Sequence, residues 1–138
     1  MNDEAMLQAL EAHHRAIEAG MAEIRLFCKD PGPNSGALSA ARERLTTASL
    51  ARSRYVSEVI VPSLLVDPGD GVRTELSELL IATAARRMVS NGHVAAWTST
   101  SIETDWSGYC AAARDIWPIM EEQMEHERCV LIPRLRQW

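Results

Sequence analysis

Toward the end of the chain, Trp117, Met120, Met124, Leu131 and Leu135 recur at helical spacing as one apolar stripe, with Glu127 inside it. His126 points roughly 100° away from that stripe. A carboxylate on an apolar face must be paired, metal-bound or protonated, because desolvating it alone costs several kcal/mol. Polar residues interrupt the other helical stripes too. His14 stands in Leu7, Leu10, His14, Ile17, Met21, Ile24, and Arg52 in Leu38, Leu45, Ala48, Arg52, Val56, Val59, Ser63. Thr83 and Arg87 stand in Leu76, Leu80, Thr83, Arg87, Ser90, Val94, and Gln123 lies one turn before Glu127. An imidazole and a carboxylate are metal-ligand types, whereas guanidiniums beside them suit ion pairing or anion binding.

Four helices would position these groups. The first runs from an Asn2 or Asp3 cap to about Cys28 and ends at Asp30-Pro-Gly-Pro-Asn-Ser-Gly36. The second spans Ser35 to about Leu65. Val66-Asp-Pro-Gly-Asp-Gly71 then breaks the chain, with Asp70 as the expected cap of a third helix over Val72 to Trp97. The inner face of that third helix is less apolar than the other three. Thr98 to Asp105 reads as a polar connector, with Ser101 or Thr104 capping a fourth helix that lasts nearly to Trp138. Trp117-Pro118 predicts a kink in it, or two collinear pieces. No strand pattern and no Gly-rich phosphate loop is seen. The expectation is an all-α, antiparallel up-down-up-down four-helix bundle, one domain over residues 1–138. Counted from the helix ends at about 1.5 Å per residue, His14, Arg52, Thr83 and Glu127 fall at one depth, with Gln123 beside them.

Composition sets the frame for that fold. Apolar residues make up 46% and charged residues 24% of 138 positions, which is globular rather than disordered. The net charge of −5, without a basic face, argues against nucleic acid. Cys28, Cys110 and Cys129 have no ligand spacing, and an odd number of scattered thiols suits a reducing compartment. The start is acidic with no signal-peptide pattern, and the longest apolar run, near Val59 to Val66, contains Pro62 and is too short for a bilayer. A cytoplasmic, membrane-free domain is expected.

A resemblance to a known family is spread over most of the chain and strongest in two stretches. Leu10-Glu-Ala-His-His14-Arg-Ala-Ile17 has a histidine followed three residues later by an aliphatic. Gln123-Met-Glu-His-Glu127-Arg-Cys-Val-Leu-Ile-Pro133 ends in a Leu-Phe-Pro-like sequence. The corresponding second-helix stretch is Arg52-Ser-Arg-Tyr-Val56-Ser-Glu-Val-Ile-Val-Pro62. Together these are similar to a hemerythrin-like (HHE cation-binding) domain, a four-helix bundle whose members typically hold a di-iron site. The resemblance places His14 at the first-helix ligand position and Glu127 at the fourth-helix carboxylate. Gln123 stands where that helix's histidine belongs. Arg52 and Val56 replace the second-helix histidine and glutamate, and Thr83 or a neighbour replaces the third-helix histidine. Two ligands cannot hold iron tightly, since such sites take five or six donors around the ions.

Arg52 is therefore expected to pair with Glu127 in place of the metal charge, bonded further by Gln123, Thr83 or His14. Glu122 and His126 at i, i+4 are more simply surface groups than a zinc grip, and His93 is expected at the surface too. Glu11 and His14 lack the second ExxH that a ferritin-like carboxylate site needs. No nucleophile signature accompanies the serines or cysteines. The methionines read as core filler, although such an interior also admits an apolar ligand. Trp97 lies off its stripe, which leaves an exposed tryptophan patch as the expected homodimer contact. The functional expectation is a non-enzymatic small-ligand-binding or regulatory domain without a cofactor. Its pocket is formed by His14, Arg52, Thr83, Arg87, Gln123 and Glu127, and its ligand is a small anion or an apolar molecule. The alternatives are an iron protein for oxygen, nitric oxide or redox sensing, with His14 and Glu127 as metal ligands, and a structural dimerisation module.

Overall fold

The computed structural model describes residues 2–136. The last helix ends at Leu135, and Trp138, which it is expected nearly to reach, lies outside the described residues. Among those described, every regular element is helical: α1 Asp3–Phe27, α2 Ser35–Tyr55, a π-helical turn Val56–Ile60, α3 Val61–Leu64, α4 Val72–Ala96, α5 Ser99–Thr104 and α6 Trp106–Leu135. None is long and apolar enough to cross a membrane.

The helix ends follow from local chemistry. The Asn2 side chain accepts the Ala5 N–H at 2.7 Å and starts α1. Gly71, at φ 77°, is the N-cap of α4 with no side-chain hydrogen bond, so Asp70 does not cap this helix. A left-handed turn there suits glycine. The expected Thr98 to Asp105 connector is largely helical: Thr98 caps α5, and Asp105 rather than Ser101 or Thr104 caps α6 by accepting the Gly108 N–H at 3.0 Å. α6 passes through Pro118 and Pro133 as a single helix.

All six stripe residues of α1 are buried. The second-helix stripe changes register. Pro62 has no N–H to donate and its ring crowds the carbonyl four residues back, and the turn immediately before it widens to π geometry, with Val61 N–H bonded to Val56 O. The extra residue turns Ile60 and Val61 inward, leaving the expected Val59 and Ser63 half-buried. On α4 the buried residues are Val72, Leu76, Leu79 and Thr83, and nothing beyond Thr83 is buried. The expected Leu80 and Ser90 are half-buried, and Val94 is exposed.

These stripes divide the core. One end is closed by aliphatics from α1, the π turn, α4 and α6, among them Leu10, Ile60, Leu76, Leu79, Leu131 and Leu135. Each fully buried Leu or Ile of this kind contributes about 1.5–3 kcal/mol. The other end gathers Ile24, Leu38, Ile102 and Tyr109, with Trp97, Trp106 and Trp117 half-buried against them. Those tryptophans are therefore core edges rather than an exposed patch, because Trp97 and Trp106 pack on the Tyr109 ring. α1 packs along α2, α4 along α6, and α1 also against α6, whereas α2 and α4 barely approach each other. Gly20 permits the close α1–α2 contact, since a Cβ there would lie 3.0 Å from Leu45 Cδ1.

Candidate functional site

At the boundary between the two ends sits Glu127, wholly buried. Its Oε1 lies 2.7 Å from His14 Nε2. A carboxylate only accepts, so Nε2 carries the hydrogen. Oε2 accepts from Arg52 Nη1 at 2.6 Å and from Gln123 Nε2 at 2.8 Å. Gln123 and Glu127 are one turn apart on α6 and so share a face. Gln123 Nε2 also donates to Thr83 Oγ1 at 2.8 Å, and that hydroxyl donates to Leu79 O at 2.8 Å. Among the described residues two buried nitrogens of this network have no partner, His14 Nδ1 and Arg52 Nε.

Burial pushes the Glu127 carboxyl upward. The hydrogen bond from His14, the Arg52 charge and the bonds from Gln123 and Arg52 together outweigh that push and hold it below the usual carboxylate range. His13, next to His14 on α1, is held below the usual imidazole range by burial first and then by His14 and Arg52, against the opposing effect of Glu127.

The structure thus brings His14, Arg52, Thr83, Gln123 and Glu127 together. Arg87 it does not place inside. The buried steps of α4 run four, three, four, and the next step of three reaches Arg86, which leaves Arg87 exposed at the edge with Nη2 on Ser53 Oγ. Arg86 is half-buried and donates to Gln123 Oε1 at 2.8 Å, His126 Nδ1 at 3.1 Å and Glu122 Oε1 at 3.1 Å. His126 is consequently half-buried rather than a free surface group. His93 is half-buried as well, stacked on Tyr109, and burial and then Arg42 hold it below the usual imidazole range. Sequence reasoning missed Arg86 and the buried Ser53, although the stepping of α4 carries the signal for the first.

Above this layer a cavity of about 560 Å³ opens between α2 and α4, floored by α1 and α6. It exists because α4 presents no large inward apolar residue after Thr83. Arg52, Ser53, Thr83, Arg86, Arg87 and Gln123 border its deep end.

The iron pair that the hemerythrin resemblance implies does not fit these residues. Among the described residues no three His, Cys, Asp or Glu side chains come together as a ligand set. A guanidinium occupies one oxygen of the carboxylate that would bind the ion, repelling a cation and competing for its ligand. What the arrangement can do is hold charge in place: a buried anion with three donors, bordered by further arginines. Comparisons with protein-family models, with curated proteins and with solved structures find no match.

Proposed function

We propose that the chain is a hemerythrin-like, antiparallel up-down-up-down four-helix bundle whose di-iron site has degenerated, acting as a non-enzymatic small-ligand-binding or regulatory domain. In this reading α1, α2 with its π turn and α3, α4, and α6 are the four members, and α5 belongs to the last connection. The observation that carries it is the 2.6 Å bond from Arg52 to Glu127, at the position where the resemblance puts a metal. A buried carboxylate needs a counter-charge, and the guanidinium supplies one permanently. The adjoining cavity, within the usual volume range of small-molecule sites, supports the binding role. Three free thiols favour a reducing, cytoplasmic setting.

Metal analysis of protein purified from iron-supplemented cells tests this reading. Iron well below one ion per chain is the expected result. Near-stoichiometric iron with an oxo-bridge charge-transfer band would overturn it in favour of the iron-sensing alternative. The dimerisation alternative draws on exposed Ile81 and Met88, which lie two turns apart on α4. Sedimentation as a monomer at high concentration would remove it.

A further inference from the structure

The α2–α4 cavity differs in charge from the chain around it. Arg42, Arg52, Arg86 and Arg87 line it, with Glu43 as the carboxylate among its described lining residues, in a chain of net charge −5. Arg52 and Arg86 have carboxylate partners, Glu127 and Glu122. Arg42 and Arg87 meet none among the described residues: Arg42 lies over the Tyr109 ring at 5.4 Å, and Arg87 reaches only the Ser53 hydroxyl. Two donors, Arg42 Nη2 and Arg52 Nε, are buried without a partner. Leaving such donors unmatched is costly, and an anionic head group at the Arg52 end would satisfy the second of them.

The walls between these arginines are mainly apolar. Leu45 and Leu50 of α2, Val94 of α4, and Ile116, Ile119 and Met120 of α6 supply them. Leu50 and Val94 are about half exposed, on opposite rims of a gap that the protein itself does not fill. Arg42 and Arg52 lie ten positions apart on α2, so the trough extends about 15 Å along the helix axis. A bare inorganic anion would leave the apolar wall wet, and a cation would meet uncompensated guanidiniums.

We propose that this cavity binds an amphipathic carboxylate. Its apolar chain lies between α2 and α4, and its head group meets Arg87, Ser53 and Arg52. The Arg42 end is the poorer seat for the head, because Glu43 adjoins it. This proposal rests on the binding role given above and names the ligand class.

The test is a titration of the metal-free protein with decanoate, followed by calorimetry and by Trp117 emission, with Trp117→Phe as the optical reference. Decanol, a decyl trimethylammonium salt and inorganic phosphate serve as comparison probes. Saturation at one decanoate per chain is expected, with decanol and the cation binding more weakly. Arg87→Gln should weaken decanoate about tenfold or more, since it removes a charge-assisted bond from an exposed helix position. Val94→Asp, which leaves every arginine in place, should weaken it as well by putting a carboxylate on the rim, with helical circular dichroism confirming that both variants fold. Absence of saturable decanoate binding, decanol binding as tightly as decanoate, or displacement of decanoate by phosphate at equal concentration would each overturn the proposal. Iron-free protein that ignores decanoate sinks this inference alone. Iron-loaded protein sinks the degenerate-site reading whatever decanoate does.

Discussion

The two ends of the molecule use the same helices differently. At the closed end α1, the π turn, α4 and α6 all turn aliphatic residues inward and pack on one another. At the open end α1, α2, α5 and α6 supply the core while the second half of α4 contributes no buried residue, so it borders a cavity instead. The difference is set by one helix. α4 is apolar at its inward positions up to Leu79, switches to Thr83 and Arg86, and loses its reason to pack against α2. The closed half carries the dense aliphatic packing, and the open half borders the cavity. The Glu127 network sits where they meet, tying α1, α2, α4 and α6 together at the depth where the filling stops.

The largest expected effect lies in that network. Arg52→Ala leaves Glu127 buried without its guanidinium and should cost about 3–5 kcal/mol in urea unfolding. In a double-mutant cycle Arg52 and Glu127 should couple strongly, whereas the exposed Arg25–Glu121 pair, at 2.6 Å, should couple by no more than about 1 kcal/mol. Equal couplings would erase the distinction between boundary and surface.

The packing contrast gives the next effect. Leu131→Ala at the closed end should cost about 2–5 kcal/mol by opening a cavity. Leu50→Ala on the rim of the open end, already 55% exposed, should change stability by less than about 0.5 kcal/mol. A large loss at Leu50 would mean that the gap is closed in solution.

Acid provides a gentler probe of the boundary. Because Glu127 titrates lower in the folded chain than its ordinary value of 4.5, its ionised form contributes stability above the ordinary carboxylate range. That contribution is lost as pH falls through the depressed folded value. The urea midpoint should therefore fall on acidification from about pH 4.5 downward, and Glu127→Gln should flatten that part of the profile. An unchanged acid limb in the variant would show that Glu127 is not the group being titrated.

How much of this could be read from the chain divides along the same line. His14, Arg52 and Glu127 were legible as a juxtaposition, because each interrupts a regular apolar stripe and depth along a helix is arithmetic. The register change before Pro62 was not, since periodicity assumes an unbroken rise and a π turn breaks it. The inward place of Arg86 was missed by one position. Leu79 and Leu80 both suit an inner place by type, and a stripe drawn through Leu80 leads on to Arg87. The cavity is illegible in principle from stripes alone. It depends on how far α4 stands from α2, which tertiary packing decides. The sparse apolar face of the third helix is the trace it leaves in the sequence.

On the proposed reading, a guanidinium from the second helix holds the carboxylate that an ion would otherwise take. A crystal structure of the protein grown with excess ferrous iron under anaerobic conditions tests it most directly. Arg52 within hydrogen-bonding distance of Glu127, with no metal peak between Glu127 and His14, is the expected result. An ion bound by those two side chains, with Arg52 swung out to solvent, would contradict it.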